Sequence, residues 1–103
     1  MKTLTICGSM RFEKLMQQIA CTLETEEGMN VLQCIYTSSG TLSKEQLDRL
    51  VAAHYRKIDL SDGIYVVNPG GYIGESVQKE IAYAMSKGKE ILYYEEMPGD
   101  LDR

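Results

Sequence analysis

Three stretches of the 103-residue chain hold side chains whose types and spacing could do chemistry. Cys7-Gly8-Ser9-Met10-Arg11 sets a glycine, a hydroxyl and a guanidinium where a strand-like run gives way to a helical one. Free backbone N–H groups and the positive helix end at such a junction favour an anion, and Arg11 adds a fixed charge suited to phosphate. A tight turn with Arg11 merely solvated is the plainer reading. Gly70-Gly71-Tyr72-Ile73-Gly74-Glu75-Ser76 places three glycines within five positions, which lets backbone approach a ligand closely. It fits neither the Walker A pattern nor the Rossmann fingerprint, and alone it would pass as a flexible connection. The two loops together nominate Gly8, Ser9, Met10, Arg11, Gly70, Gly71, Gly74 and Ser76 as binding residues.

The third stretch contains Glu80, three residues after Val77 and four before Ala84, at the edge of a row that must face the protein interior. An unpaired carboxylate there is costly, and donors from neighbouring loops that hold it ionised would prepare a nucleophile or an acid. The alternative turns Glu80 outward toward Lys79 or Lys87. His54, the only histidine, falls on the inward row of another helix, where it serves either as a core residue or as a catalyst. Asp59 and Asp62 need only cap or turn roles. Tyr55 and Tyr83 point outward by spacing, which suggests a subunit contact.

These residues need elements to position them. Thr3 to Cys7 is strand-like and stops at Gly8, after which Phe12, Leu15, Met16, Ile19, Ala20 and Leu23 recur at helical spacing until Gly28. Val31 to Tyr36 reads as a second strand, followed by a polar loop, Thr37 to Thr41. Ser43 and Gln46 then form a capping box that starts a helix with the inward row Leu47, Leu50, Val51, His54 and Ile58. Gly63 to Val67 is a continuous apolar run of the kind parallel strands show. A third helix from about Gly74 or Glu75 turns Val77, Ile81, Ala84 and Met85 inward and ends on Lys87-Gly88-Lys89. Ile91 to Tyr94 is the last strand, and Met97 to Arg103 a frayed tail.

The alternation predicts one α/β domain over residues 1–103, a three-layer, Rossmann-like or flavodoxin-like sheet of four parallel strands in the order 2-1-3-4, with helices on both faces. That order reverses between strands one and three, and ligands bind outside the carboxyl ends at such a point. Both glycine loops fall there.

Composition narrows the partners. A net charge of −4 with scattered Lys and Arg offers no basic stripe for a nucleic-acid polymer. No apolar run is long enough to cross a bilayer, and Met1-Lys2 leads straight into a strand without a signal-peptide core, so the expected location is cytoplasmic. Cys7, Cys21 and Cys34 sit in apolar stretches and are expected as reduced, packed thiols. With one histidine and no close cysteine pair, no metal site is expected, and no cofactor is implied. A short sheet with open edges favours a homodimer or a larger assembly.

Cys7-Gly8-Ser9-Met10-Arg11, with Glu80-Ile81-Ala82-Tyr83-Ala84 and Gly88-Lys89, resembles the nucleoside 2-deoxyribosyltransferase superfamily, which includes the 2'-deoxynucleoside 5'-monophosphate N-glycosidases. The run from Asn68 to Ser76 is similar to a short bacterial and phage branch. The resemblance implies that Glu80 attacks the anomeric carbon of a deoxyribosyl group, and that Ser9, Arg11, Gly74 and Ser76 grip a 5'-phosphate. The family Asp that assists the leaving base falls at His54, so an imidazole would inherit that part. A family Tyr on strand one is replaced by Thr5. The expected function is therefore a nucleotide N-glycosidase or deoxyribosyltransferase. The alternatives are a non-catalytic nucleotide-binding module and a purely structural interaction domain.

Overall fold

The computed structural model describes residues 1–37 and 40–96. Part of the polar loop from Thr37 to Thr41, and the whole tail from Met97 to Arg103, lie outside them. Seven regular elements alternate as expected: β1 (Thr3–Gly8), α1 (Glu13–Thr25), β2 (Asn30–Leu32), α2 (Lys44–Asp59), β3 (Gly63–Val67), α3 (Glu75–Ser86) and β4 (Glu90–Tyr93). All strands are parallel and ordered β2-β1-β3-β4, so the fold is the three-layer α/β sheet predicted from the alternation.

Strand alternation divides the core in two. Leu4, Ile6 and Val67 turn toward α1 and meet Met16, Ala20 and Leu23. Cys7, Ile64 and Val66 turn the other way and meet Ile58 of α2 with Val77 and Ala84 of α3. Thr5 shares that second face at 0% exposure, its hydroxyl satisfied by Ser61 Oγ at 2.6 Å, which itself donates to Lys57 O at 2.8 Å.

Local chemistry sets the ends of the elements. Ser43 Oγ accepts from Gln46 N and Gln46 Oε1 accepts from Ser43 N, the reciprocal box read from the sequence. Gly88, at φ 71°, closes α3 in a left-handed cap, with Lys89 N donating to Ala84 O and Gly88 N to Met85 O. Gly63 serves close approach instead: a Cβ there would lie 2.6 Å from Glu90 O, so β3 pairs with β4 only if this position is bare.

Several expectations need correction. The second strand is three residues long, not six, because Gln33 O is taken by Lys57 Nζ at 2.8 Å and the chain leaves the sheet after Leu32. On α2, Leu47 and Val51 are 43% and 55% exposed. A 16-residue helix runs about 24 Å, whereas the five-residue β3 spans about 17 Å, so the first turns of α2 overhang the sheet. Met85 is also exposed, since α3 rests on Val77 and Ala84 and Met85 lies a further helical step around. Cys21 is exposed on α1, while Cys7 is buried and Cys34 half-buried; all three are free thiols.

Tyr55 and Tyr83 do not stand outward unpartnered. Their rings meet edge to face at 4.8 Å, and Tyr83 Oη donates to Asp59 Oδ1 at 2.5 Å, which ties α2 to α3. Asp62 Oδ2 accepts from Thr3 N at 2.8 Å and so anchors the start of β1.

Candidate functional site

The overhang of α2 has a consequence at the carboxyl ends of β1 and β3. Between it, the Gly8–Met10 turn and the first turns of α3 lies a cleft of about 750 Å³, within the usual range for a small-molecule site. Gly8, Ser9, Met10, Gly74, Ser76, His54 and Glu80 all line it. Seven of the ten residues nominated from sequence thus converge on one cavity, at the switch point between β1 and β3.

The other three stand apart. Gly70 and Gly71 take φ values of 66° and 80°, which only glycine adopts freely, and they shape the turn after β3 without lining the cleft. Arg11 is exposed, its guanidinium stacked 4.2 Å from the centre of the Tyr72 ring. Phe12 also meets Tyr72, edge to face at 6.0 Å. Tyr72 therefore joins the two loops and lines the cleft as well, a role that its place in a glycine-rich run did not announce. Asn68, fully buried, fixes the same loop from below by exchanging hydrogen bonds with the backbone of Glu95.

The anion-binding potential sits at two helix starts. Gly74 caps α3 in extended conformation, and among the described residues no side-chain acceptor is bonded to the first turn, whose N–H groups have no intrahelical partner. Ser9 begins the short turn into α1, its Oγ accepting from Arg11 N at 3.3 Å and its hydroxyl proton left to donate.

Glu80 occupies the floor. Its side chain is 16% exposed and its Oε1 lies 3.3 Å from His54 Nε2, whose side chain is 11% exposed. The outward pairing with Lys79 or Lys87 does not occur: Glu80 faces the interior, and Lys87 lies over the Tyr83 ring. Cys7 Sγ, at the end of β1, is 3.5 Å from the same His54 Nε2. Burial, and after it the adjacent Glu80 carboxylate, holds the Cys7 thiol in its protonated form well above its ordinary 9.0, so at neutral pH it is not a thiolate nucleophile. His54 Nδ1 is buried without a hydrogen-bond partner among the described residues.

Spacing along the chain offers no close pair of cysteine or histidine ligands for a metal. Folding brings one sulfur, one nitrogen and one oxygen donor from β1, α2 and α3 to within 4.8 Å of one another. Cys34 and Ile35, which left the sheet after β2, close the α2 side of the cleft. Among the described residues no helix is long and apolar enough to cross a membrane. Searches of protein-family models, curated proteins and solved structures find no match to this chain.

Proposed function

We propose that the cleft cleaves the sugar–base bond of a (deoxy)nucleoside 5'-monophosphate, with Glu80 as nucleophile, as the resemblance to the nucleoside 2-deoxyribosyltransferase superfamily implies. The observation that carries this reading is the position of Glu80: a carboxylate only 16% exposed that lines a ligand-sized cleft together with the Ser9 turn and the start of α3. The Ser9 hydroxyl and the α3 first-turn amides would hold the phosphate. Arg11, stacked on Tyr72 nearby, would reach it by swinging off the ring.

In this mechanism a Glu80 oxygen bonds to C1' while the C1'–N bond breaks, and the electron pair leaves with the base, which takes its proton from solvent. Water then attacks C1', expels the carboxylate and releases the sugar phosphate. An acceptor base in place of water gives transfer. His54 touches Glu80, on the nucleophile's side of C1', whereas the departing base lies on the opposite side. It is therefore best read as a positioning residue that orients the carboxylate, in preference to an acid for the base.

Incubation with each deoxynucleoside monophosphate should release free base, and Glu80→Gln should lower that rate by at least about a thousandfold. Release that survives Glu80→Gln, or no release from any nucleotide, rejects the reading; tight nucleotide binding without release would leave a binding module. The exposed apolar residues Ile35, Leu47 and Val51 support a homodimer that covers them, and free thiols fit a reducing compartment such as the cytoplasm.

A further inference from the structure

We propose that Cys7 Sγ, His54 Nε2 and a Glu80 carboxylate oxygen form a binding site for a thiophilic divalent cation, above all zinc, with its fourth coordination position open to the cleft. Sulfur, imidazole nitrogen and carboxylate oxygen are all zinc ligands, and the sulfur selects against magnesium and calcium, which take oxygen. Three protein ligands with one side open is the arrangement of reactive zinc sites; purely structural ones are closed by a fourth residue. Here His54 and Glu80 line the cleft, and Cys7 closes the cluster from the core side.

Two of the three separations match those between ligands of a single ion. Ligands at ordinary zinc bond lengths in a tetrahedron stand about 3.4 Å apart for nitrogen and oxygen, and about 3.6 Å for sulfur and nitrogen. The observed separations are 3.3 Å from Nε2 to Oε1 and 3.5 Å from Nε2 to Sγ. A charged N–H···O bond would be about 2.8 Å. The third pair, Sγ and the carboxylate, lies within 4.8 Å, so a turn of the Glu80 side chain completes the triangle.

Charge balances as well. On binding, the thiol gives its proton to solvent as the sulfur–metal bond forms, Glu80 brings its own negative charge, and the imidazole coordinates neutral with its proton on Nδ1. Two anionic ligands offset the dication, which a half-dry pocket can then tolerate. The donors sit on three different elements, with Cys7 and His54 only 1% and 8% exposed, so the core presets their positions. One consequence rests on the proposed function: a cation that holds the Glu80 oxygen occupies the nucleophile, so zinc and base release exclude each other.

The test is a titration of the reduced full-length protein with Co²⁺ alone, followed by Zn²⁺. The expected result is one cobalt per chain, a sulfur-to-cobalt charge-transfer band in the near ultraviolet, intense visible bands of four-coordinate cobalt, and bleaching of both by zinc. Cys7→Ser should abolish the charge-transfer band. Glu80→Gln, on the accessible side, should keep that band and weaken binding by at least about tenfold. Cys21→Ser, at an exposed position of α1 outside the cleft, should bind as the parent does. The proposal falls if the parent shows no band, if the band survives Cys7→Ser or vanishes in Cys21→Ser, or if Glu80→Gln binds unchanged. Should Cys7→Ser fail to fold, the other two variants decide. Base release, assayed in the same samples, separates the two proposals: cobalt bound to a protein that releases no base rejects only the nucleotide reading, and Glu80-dependent release without a cobalt band rejects only the metal site.

Discussion

On the α1 side of the sheet, Leu4, Ile6 and Val67 meet Met16, Ala20 and Leu23 in an all-apolar cluster. On the opposite side Cys7, Ile64 and Val66 share their space with Thr5, Ser61, His54 and, at the cleft, Glu80. The strands supply similar residues to both faces, so the contrast comes from the helices. One helix covers the first face and needs no polar group. Two helices divide the second, joined near their far ends by the Tyr55–Tyr83 contact and Asp59, and between their other ends they leave the cleft. Both faces hold buried apolar residues, but only the divided one also holds buried polar groups beside an opening. Polar side chains are tolerated there because each has a partner or reaches the opening.

The sharpest way to break this contrast is Met16→Ala. Met16 is fully buried on the α1 face, and its truncation should cost about 2–5 kcal/mol in urea unfolding while leaving the rate of base release per folded molecule unchanged. A loss of rate per folded molecule would show that the two faces are not independent.

A smaller effect should appear in alkali. The native fold holds the Cys7 proton to a higher pH than the unfolded chain does, so the associated stability is present below 9.0 and is lost as pH rises above it toward the native value. The slope for that one group is about −1.4 kcal/mol per pH unit. Burial raises Cys34 too, and raises Tyr36 to about 12, so the parent slope contains their share. Unfolding free energies compared between about pH 9 and about pH 10 should therefore decline less steeply for Cys7→Ala than for the parent. Equal slopes would mean that Cys7 is not buried against Glu80.

The smallest stability change belongs to the overhang. Val51→Ser should alter unfolding by no more than about 0.5 kcal/mol, because the side chain is already 55% exposed. Sedimentation should nevertheless show a weaker dimer. A large loss of monomer stability would place Val51 in the core after all.

Much of the fold was legible because it depends on local chemistry. The Ser43–Gln46 box, the Gly88 cap and the apolar run from Gly63 to Val67 each state their structure within a few residues. Parts of the site were legible for the same reason: a glycine at a strand end and a helix start announce where a cleft can open. Helical periodicity placed Glu80 and His54 on inward faces but could not show that the two faces oppose each other. Leu47 and Val51 misled because periodicity reports which side of a helix is apolar, whereas exposure depends on how far the sheet beneath it extends. Tyr55 and Tyr83 misled for a related reason, since each was judged on its own helix and they pack on one another.

The sequence alone determined the order of strands and helices, the parallel sheet and the crevice that its reversal must create, because hydrophobic period, caps and crossover handedness are properties of contiguous chain. Only the tertiary structure decided that Cys7, His54 and Glu80, spread over 74 positions of the sequence, become one cluster, and that Arg11 rests on Tyr72. The cluster follows from how α2 and α3 come together over the sheet, and the Arg11 contact from how the turns after β1 and β3 meet, and no local pattern encodes either.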